Sequence, residues 1–378
     1  MRVPGPALAT AAVSGLLGLA LASGLACDAG GPSSSPARAA EASPRPSDRA
    51  SEAARPASPG REAPRNLGEG CAEVAIRGGE CQRYRLAMEA GQVLRLAVDQ
   101  RGADVAITVL PGAGGGKPLE LDSPVSAEGR DGGIFVAQAS GDVQVELCSQ
   151  ETAGAVGRYA IRRQALRPAT PRDRRDEIAY RRYAEGRHLA ADGHDEGARA
   201  AFERAADDFS RARDARGRAW SLYKLGHIAV QLGDLEAAQR SFRAAAAIHR
   251  ELGEWRLAAD RTRWLASSLD HEGRNHQALA AYRESLQAAR RAGAEALVGD
   301  VLESVARIQT TIGDAVGGLA SYRELRDLRR AAGDPEGEIQ ALGEIGVLHR
   351  LSEDAGAALE AYGEALRIAR GNGLRVWT

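Results

Sequence analysis

Phe202, Phe242, Tyr282, Tyr322 and Tyr362 lie forty residues apart with no slippage. Three further ladders keep the same step. They are Gly186, Gly226, Ala266, Ala306 and Gly346; Ala198, Ala238, Ala278, Gly318 and Ala358; and Gly193, Gly233, Gly273 and Gly313, with Glu353 in the fifth place. Gly253, Gly293, Gly333 and Gly373 fall between the units. Self-similarity at such a period marks a repeat array. One unit cannot bury its apolar face alone, and stacked neighbours supply the core.

Residues 217–253 show what a unit is. Leu222, Leu225, Ile228 and Leu232 recur at helical spacing. Gly233-Asp234 breaks the pattern, because glycine takes the left-handed conformation that ends a helix. Ala238, Phe242, Ala245, Ile248 and Leu252 then form a second helical pattern. Each unit is therefore helix, turn, helix, turn. The small residue in the first helix allows a close approach, and the aromatic of the second fills the space beside it.

Leu222, Leu225-Gly226, Leu232-Gly233-Asp234, Ala238, Phe242 and Ala245 resemble the tetratricopeptide repeat family in its forty-residue form. The resemblance covers residues 174–378 in five units. It departs at Arg182 in the first unit and at Gly318 and Leu325 in the fourth. It implies an all-α solenoid (TPR array) of five helix pairs, with the first helices lining an inner groove. The groove positions it implies are Tyr183, Arg187, Trp220, Tyr223, His227, Asp260, Arg263, Asp300, Glu303, Arg307 and Arg350. The implied partner is a protein or peptide, for which aromatic and arginine side chains are the usual anchors. For Trp220 and Tyr223, packing against a neighbouring helix or the N-terminal part is an equal alternative.

Residues 1–26 read as an export signal. Arg2 is its positive end, and Ala7–Ala26 is almost continuously apolar or small. The same stretch is long enough for a single-pass anchor. Ser23-Gly24-Leu25-Ala26-Cys27 resembles a bacterial lipoprotein signal, although Gly24 stands where that pattern has leucine. The resemblance implies lipidation of Cys27 and attachment to a membrane of the cell envelope. Ordinary cleavage, giving a soluble periplasmic or secreted protein, stays open. Residues 27–66 are rich in Ser, Pro, Ala, Gly, Arg and Glu, and they read as a disordered linker.

Residues 67–166 change character. Alternating runs appear at Glu73–Arg77, Cys81–Met88, Gln92–Val98, Asp104–Leu110, Gly133–Ala137, Asp142–Cys148 and Arg158–Arg163, punctuated by glycine-rich turns. This predicts an all-β sandwich of about 100 residues. Tyr84-Arg85-Leu86, Ala90-Gly91-Gln92, Asp104-Val105, Ala139-Ser140-Gly141-Asp142 and Gly157-Arg158-Tyr159 resemble the pre-peptidase C-terminal-like domain of secreted bacterial peptidases. Three cysteines remain after Cys27, enough for one disulfide in an exported protein. Cys81 with Cys148, both on predicted strands, is one pairing; Cys71 with Cys81 is the other. Arg167-Pro168-Ala169-Thr170-Pro171-Arg172 reads as a short stiff hinge. Sandwich, hinge and repeats in this order resemble the N-terminal part of exported bacterial proteins that end in a CHAT domain, a caspase-like peptidase. In register, Val376-Trp377-Thr378 reads as the opening of a sixth repeat.

The net charge of −1 argues against nucleic-acid binding, which needs a basic face. All seven histidines lie in the repeats and no cysteine does, and they read as surface residues. The sequence has no G-x-S-x-G, H-E-x-x-H or Walker pattern. The expectation is a non-enzymatic interaction protein with no cofactor and no metal.

Overall fold

The computed structural model describes residues 64–374, apart from 69–71, 113–114, 122–127 and 153. The predicted signal, Cys27, most of the linker, Cys71 and residues 376–378 lie outside the described residues.

Among the described residues nine strands come first: β1 Arg65–Asn66, β2 Ala72–Arg77, β3 Cys81–Met88, β4 Gln92–Arg101, β5 Val105–Leu110, β6 Leu119–Glu120, β7 Glu128–Val136, β8 Gly141–Ser149 and β9 Val156–Pro168. One sheet has the order β1-β3-β8-β5-β6 and the other β2-β9-β4-β7. All pairings are antiparallel except β1 beside β3. The stretch read as linker thus ends early, because Arg65 and Asn66 pair with Tyr84 and Arg85. Side chains alternate along each strand. The inward set of both sheets, including Ile76, Leu96, Tyr159, Leu86, Ile107 and Leu147, belongs to one apolar cluster. Inside it the hydroxyls of Tyr84 and Tyr159 lie 2.7 Å apart, and Tyr159 donates to Gln82 Oε1 at 2.7 Å. Cys81 and Cys148 are directly opposed in the β3–β8 register and joined by a disulfide.

Ten helices follow among the described residues: α1 Pro171–Ala191, α2 Asp195–Ala212, α3 Ala215–Gln231, α4 Leu235–Glu251, α5 Trp255–His271, α6 Asn275–Arg291, α7 Glu295–Thr311, α8 Ala315–Ala331, α9 Pro335–Leu351 and α10 Ala355–Gly371. Each packs on the next, and together they form a TPR-like solenoid. The turns repeat one recipe. A left-handed residue ends one helix and the next residue caps the following one. Gly233 has φ +78°, and Asp234 accepts from Ala237 N at 2.9 Å. Asp214, Asp314, Asp334 and Asp354 cap in the same way. Among the described residues the two non-glycine residues in this conformation are Arg213 at +58° and Glu353 at +62°.

The aromatic ladder fills the helix pairs. Phe202 and Phe242 are wholly buried, and Tyr282 and Tyr322 nearly so. A Cβ on Gly186 would lie 2.8 Å from the Phe202 ring, and one on Gly346 would lie 2.4 Å from the Tyr362 ring. Tyr362 departs from the other four rings of the ladder, since it is only half-buried. Among the described residues no further first helix covers it. On the outer side Arg250–Glu284, Arg290–Glu324 and Arg330–Glu364 tie successive second helices. Such exposed pairs contribute little each.

The segment read as a hinge is instead a packed joint. Arg167 and Pro168 end β9. Thr170 caps α1 in a reciprocal capping box with Asp173, and Pro171 occupies the first turn, where its missing N–H is harmless. The pairing of β4 with β9 slips between Arg95 and Leu96, and Arg95 reaches both Asp173 at 2.9 Å and Asp176 at 2.5 Å. Arg167 adds a second contact to Asp173 at 2.7 Å. Edge strand β7 is covered by α1: Val136 N donates to Glu177 Oε1 at 3.2 Å. Gly133 lets Tyr180 through, for a Cβ there would lie 3.0 Å from the ring. Tyr180 then donates to Asp214 at 2.9 Å and stands edge-on to Phe209.

Candidate functional site: the inner face of the helical array

The first helices of successive units are α1, α3, α5, α7 and α9; α1 packs on α3, and side chains bridge α3 to α5 at His227–Trp264 and α5 to α7 at Asp270–Arg307. At its start the face is occupied. Ala184 of α1 belongs to the apolar cluster of the two sheets, and Arg187 Nη1 lies 3.8 Å from Glu120 of β6. The open part begins at α3.

There Tyr223, His227 and Trp264 form an aromatic patch. The His227 ring stands edge-on to Tyr223 and to Trp264, each at 4.4 Å, and rests on Phe242 at 5.3 Å. The Arg261 guanidinium lies 3.6 Å over the Tyr223 ring, and Arg263 lies 5.2 Å over Trp264. Asp260 pairs with both arginines. Burial alone would raise the Asp260 carboxyl, but Arg261 and Arg263 outweigh it and hold it below the usual range. Burial, with Lys224 and Arg261 nearby, pushes His227 down to about 4, so the ring is neutral at pH 7. Burial raises the Tyr223 hydroxyl.

Further along the face is ionic. Arg307 of α7 pairs with Asp270 of α5. Glu303, Arg307 and Arg350 are exposed. Asp300 is exposed too, with Arg329 of α8 4.0 Å away. Glu344 of α9 is held above the usual range, by partial loss of water first and by the Glu303 carboxylate second.

The groove reading does not hold for Tyr183 and Trp220. Each is 3% exposed, with the rings 6.4 Å apart in a core shared with Phe202 and Phe209. They lie where α3 closes over α1, so packing consumes them. Tyr223, which carried the same alternative, is half-buried and stays at the surface beside His227. The register missed Lys224, Trp264 and Glu344. These stand one place after Tyr223, Arg263 and Gly343 in the repeat, and Ala184 and Ser304 complete that row.

His249 is not a surface residue: it is wholly buried with Nδ1 2.8 Å from Glu254 Oε2, while His227 and His349 are half-buried. Glu254 also takes Arg216, tying α3, α4 and α5 together. His271 and His276 are exposed. Among the described residues one group of three metal-capable side chains lies close together, Cys81, Glu146 and Cys148. Its two sulfurs are spent in the disulfide. No helix among the described residues is long and apolar enough to cross a membrane.

Comparison with known proteins bears on the helices. No curated protein matches the chain. Solved structures with similar backbones include the apo form of RapI, at 14% identity and TM-score 0.46, covering 51% of this chain and 54% of that one. BtubC from P. vanneervenii follows at 20% identity and TM-score 0.42, covering 56% and 96%. Aspartyl phosphate phosphatase F from Bacillus subtilis has 13% identity and TM-score 0.42, covering 53% of each chain. This chain therefore spans about half the length of RapI and of the phosphatase. The family description "Tetratricopeptide repeat" matches residues 221–250, and that match falls on the pair α3 and α4 of the ten-helix, TPR-like array.

Proposed function

We propose that the chain is an exported scaffold that holds a protein or peptide partner against the inner face of its helical array. The observation that carries this reading is the half-buried patch of Tyr223, His227 and Trp264, with half-buried Arg263 over Trp264 and the buried Arg261 backing Tyr223. Aromatic and arginine side chains in partly desolvated positions supply most interface energy. Solenoids present such residues on an extended concave surface.

The two-sheet part is read as a pre-peptidase C-terminal-like β-sandwich, acting as spacer and second surface. The single apolar cluster shared by both sheets supports this. The lipid anchor at Cys27 rests on the sequence from Ser23 to Cys27, and the absence of a nucleic-acid role rests on the near-zero net charge. The second reading, the non-catalytic N-terminal part of a CHAT-type peptidase, rests on the order of sheets, joint and repeats.

The test places a photocrosslinking residue at Lys224 or Ser267 on the inner face and at Arg240 on the outer face, in cells that make the protein. Adducts of defined mass from the two inner positions alone are expected. Adducts equal at all three, or none at the inner pair, overturn the proposal. Mass spectrometry of the mature N-terminus tests the anchor separately.

A further inference from the structure

The outer face of the first sheet carries a second group of reactive side chains. In the β3–β8 register Cys81 stands opposite Cys148, and on the next outward row Arg83 stands opposite Glu146. Residues two apart along a strand share a face, so these four lie together, away from the apolar cluster. Strand β5 continues both rows, with Ala106 beside Cys148 and Thr108 beside Glu146. The two sulfurs and a Glu146 carboxylate oxygen all lie within 4.8 Å of one another. Donor atoms on one tetrahedral zinc, at bonds of about 2.0–2.3 Å, stand about 3.3–3.8 Å apart. Small side-chain rotations therefore bring the three onto one ion once the sulfurs are separate.

Arg83 orients the carboxylate. Its Nε and Nη2 both go to Oε1, at 2.7 and 2.5 Å. Oε2 makes no hydrogen bond among the described residues, which leaves it for a metal. A ligating carboxylate held by an outer partner is usual in metal sites. Ala106 has no side chain beyond Cβ, so water can fill the fourth position.

The disulfide is open to attack. Cys81 is exposed and Cys148 half-buried, and β1 pairs with β3 only further along, at Tyr84 and Arg85. Exposed disulfides belong to the labile class. Opening this one leaves the strands in place. β3 and β8 stay paired from Cys81 to Met88, and Tyr84, Leu86, Val145 and Leu147 hold them in the apolar cluster.

We propose that Cys81, Cys148 and Glu146 form a zinc site in the reduced protein, which the disulfide closes. The thiolate of a dithiol attacks one sulfur, giving a mixed disulfide and one cysteine thiolate. The second thiol of the reductant then displaces the other cysteine. Two electrons pass to the cysteines, and the dithiol leaves as its own disulfide. Zinc displaces the two thiol protons and takes the carboxylate as third ligand. Two thiolates with one carboxylate suit this borderline-soft ion. An acceptor disulfide reverses the sequence: it takes the two electrons, the cysteines rejoin and the metal is freed. The site is independent of the helical face and its partner.

The test uses the full chain with Cys27→Ser and Cys71→Ser, so that the pair supplies its only thiols. The chain is reduced with a phosphine, which is then removed under argon. Zinc alone is the probe, in competition with a chromogenic chelator. One tight zinc per reduced chain is expected, with its loss in the oxidised chain and in Cys148→Ser. Glu146→Gln is expected to weaken binding at least about tenfold, and Arg83→Gln by a smaller factor. Cobalt in place of zinc should give a thiolate-to-cobalt charge-transfer band, which ligation by histidines and carboxylates would lack. Oxidised glutathione is expected to release the metal. Circular dichroism checks folding. The comparison of reduced with oxidised chain needs no substitution at the site and decides where a variant fails to fold. A reduced chain that unfolds, equal binding by both redox forms, zinc kept by Cys148→Ser, or unchanged affinity in Glu146→Gln overturns the site.

Discussion

A Cβ added to Gly226 would fall 2.4 Å from Cε1 of Phe242. The glycine and the ring are sixteen residues apart in sequence and one contact apart in space. The pair fixes how closely α3 and α4 approach. Alanine at position 226 gains about 1 kcal/mol of helix propensity. It also drives a methyl into a wholly buried ring, which overpacking data place at about 1–3 kcal/mol. The steric cost wins, and Gly226→Ala is expected to lower the melting temperature. A melt followed by circular dichroism decides it; an unchanged or raised midpoint would show that the pair has slack.

Glu353 sits at φ +62° where the other turns of its ladder have glycine. A side chain in the left-handed region costs about 1–2 kcal/mol relative to glycine. Glu353→Gly is therefore expected to stabilise the chain by about 1 kcal/mol in urea titration. Gly313→Ala, at φ +82° one unit earlier, is expected to destabilise it by a similar amount.

Asp173 holds the joint. Burial alone would raise its carboxyl, but hydrogen bonds from Arg167, Thr170 and Arg95 outweigh it and hold the group well below the ordinary value. A depressed carboxyl contributes stability that is present above about pH 4 and is lost as pH falls toward its folded value. Asp173→Asn keeps the shape and removes the charge, leaving Arg167 without a carboxylate. A loss of about 2–4 kcal/mol at pH 7 is expected. The acid limb of the stability curve should become shallower. An unchanged limb would mean that another carboxylate sets it.

His227 titrates with the opposite chemistry and the same direction. Its folded value of about 4 lies below the ordinary 6.5. As pH falls, the unfolded chain binds the proton first, so stability declines between about pH 6.5 and 4 and then levels off. The expected drop is about 1–3 kcal/mol. His227→Gln should flatten that window, and chemical denaturation at pH 7, 5.5 and 4.5 would register the difference.

Much of the architecture was legible because it repeats. The ladders through Gly226, Ala238 and Phe242 each state one packing relation several times. The strands announced themselves by alternation, as in Cys81–Met88, which is strand β3 with every second residue buried. What occurs once could not be read. Arg95 meets Asp173 across seventy-eight residues, and neither has a register partner to betray it. His249 is buried where the units before and after it carry the buried Phe209 and Ala289, so the ladder marked the position as core and only the polar residue type pointed to the surface. The inner face was half visible. Spacing reached Tyr223, His227 and Glu303. It could not weigh Trp264, because its importance comes from His227 on the preceding first helix.

Helix α1 serves two masters: it covers strand β7 through Glu177 and Tyr180, and it seats the first ring, Phe202, against Gly186. Heat therefore cannot melt the strands and leave the first helices standing. A calorimeter should record one shared endotherm for the two-sheet part and the opening helix pairs, and a protease nick beside Thr170 would loosen both at once.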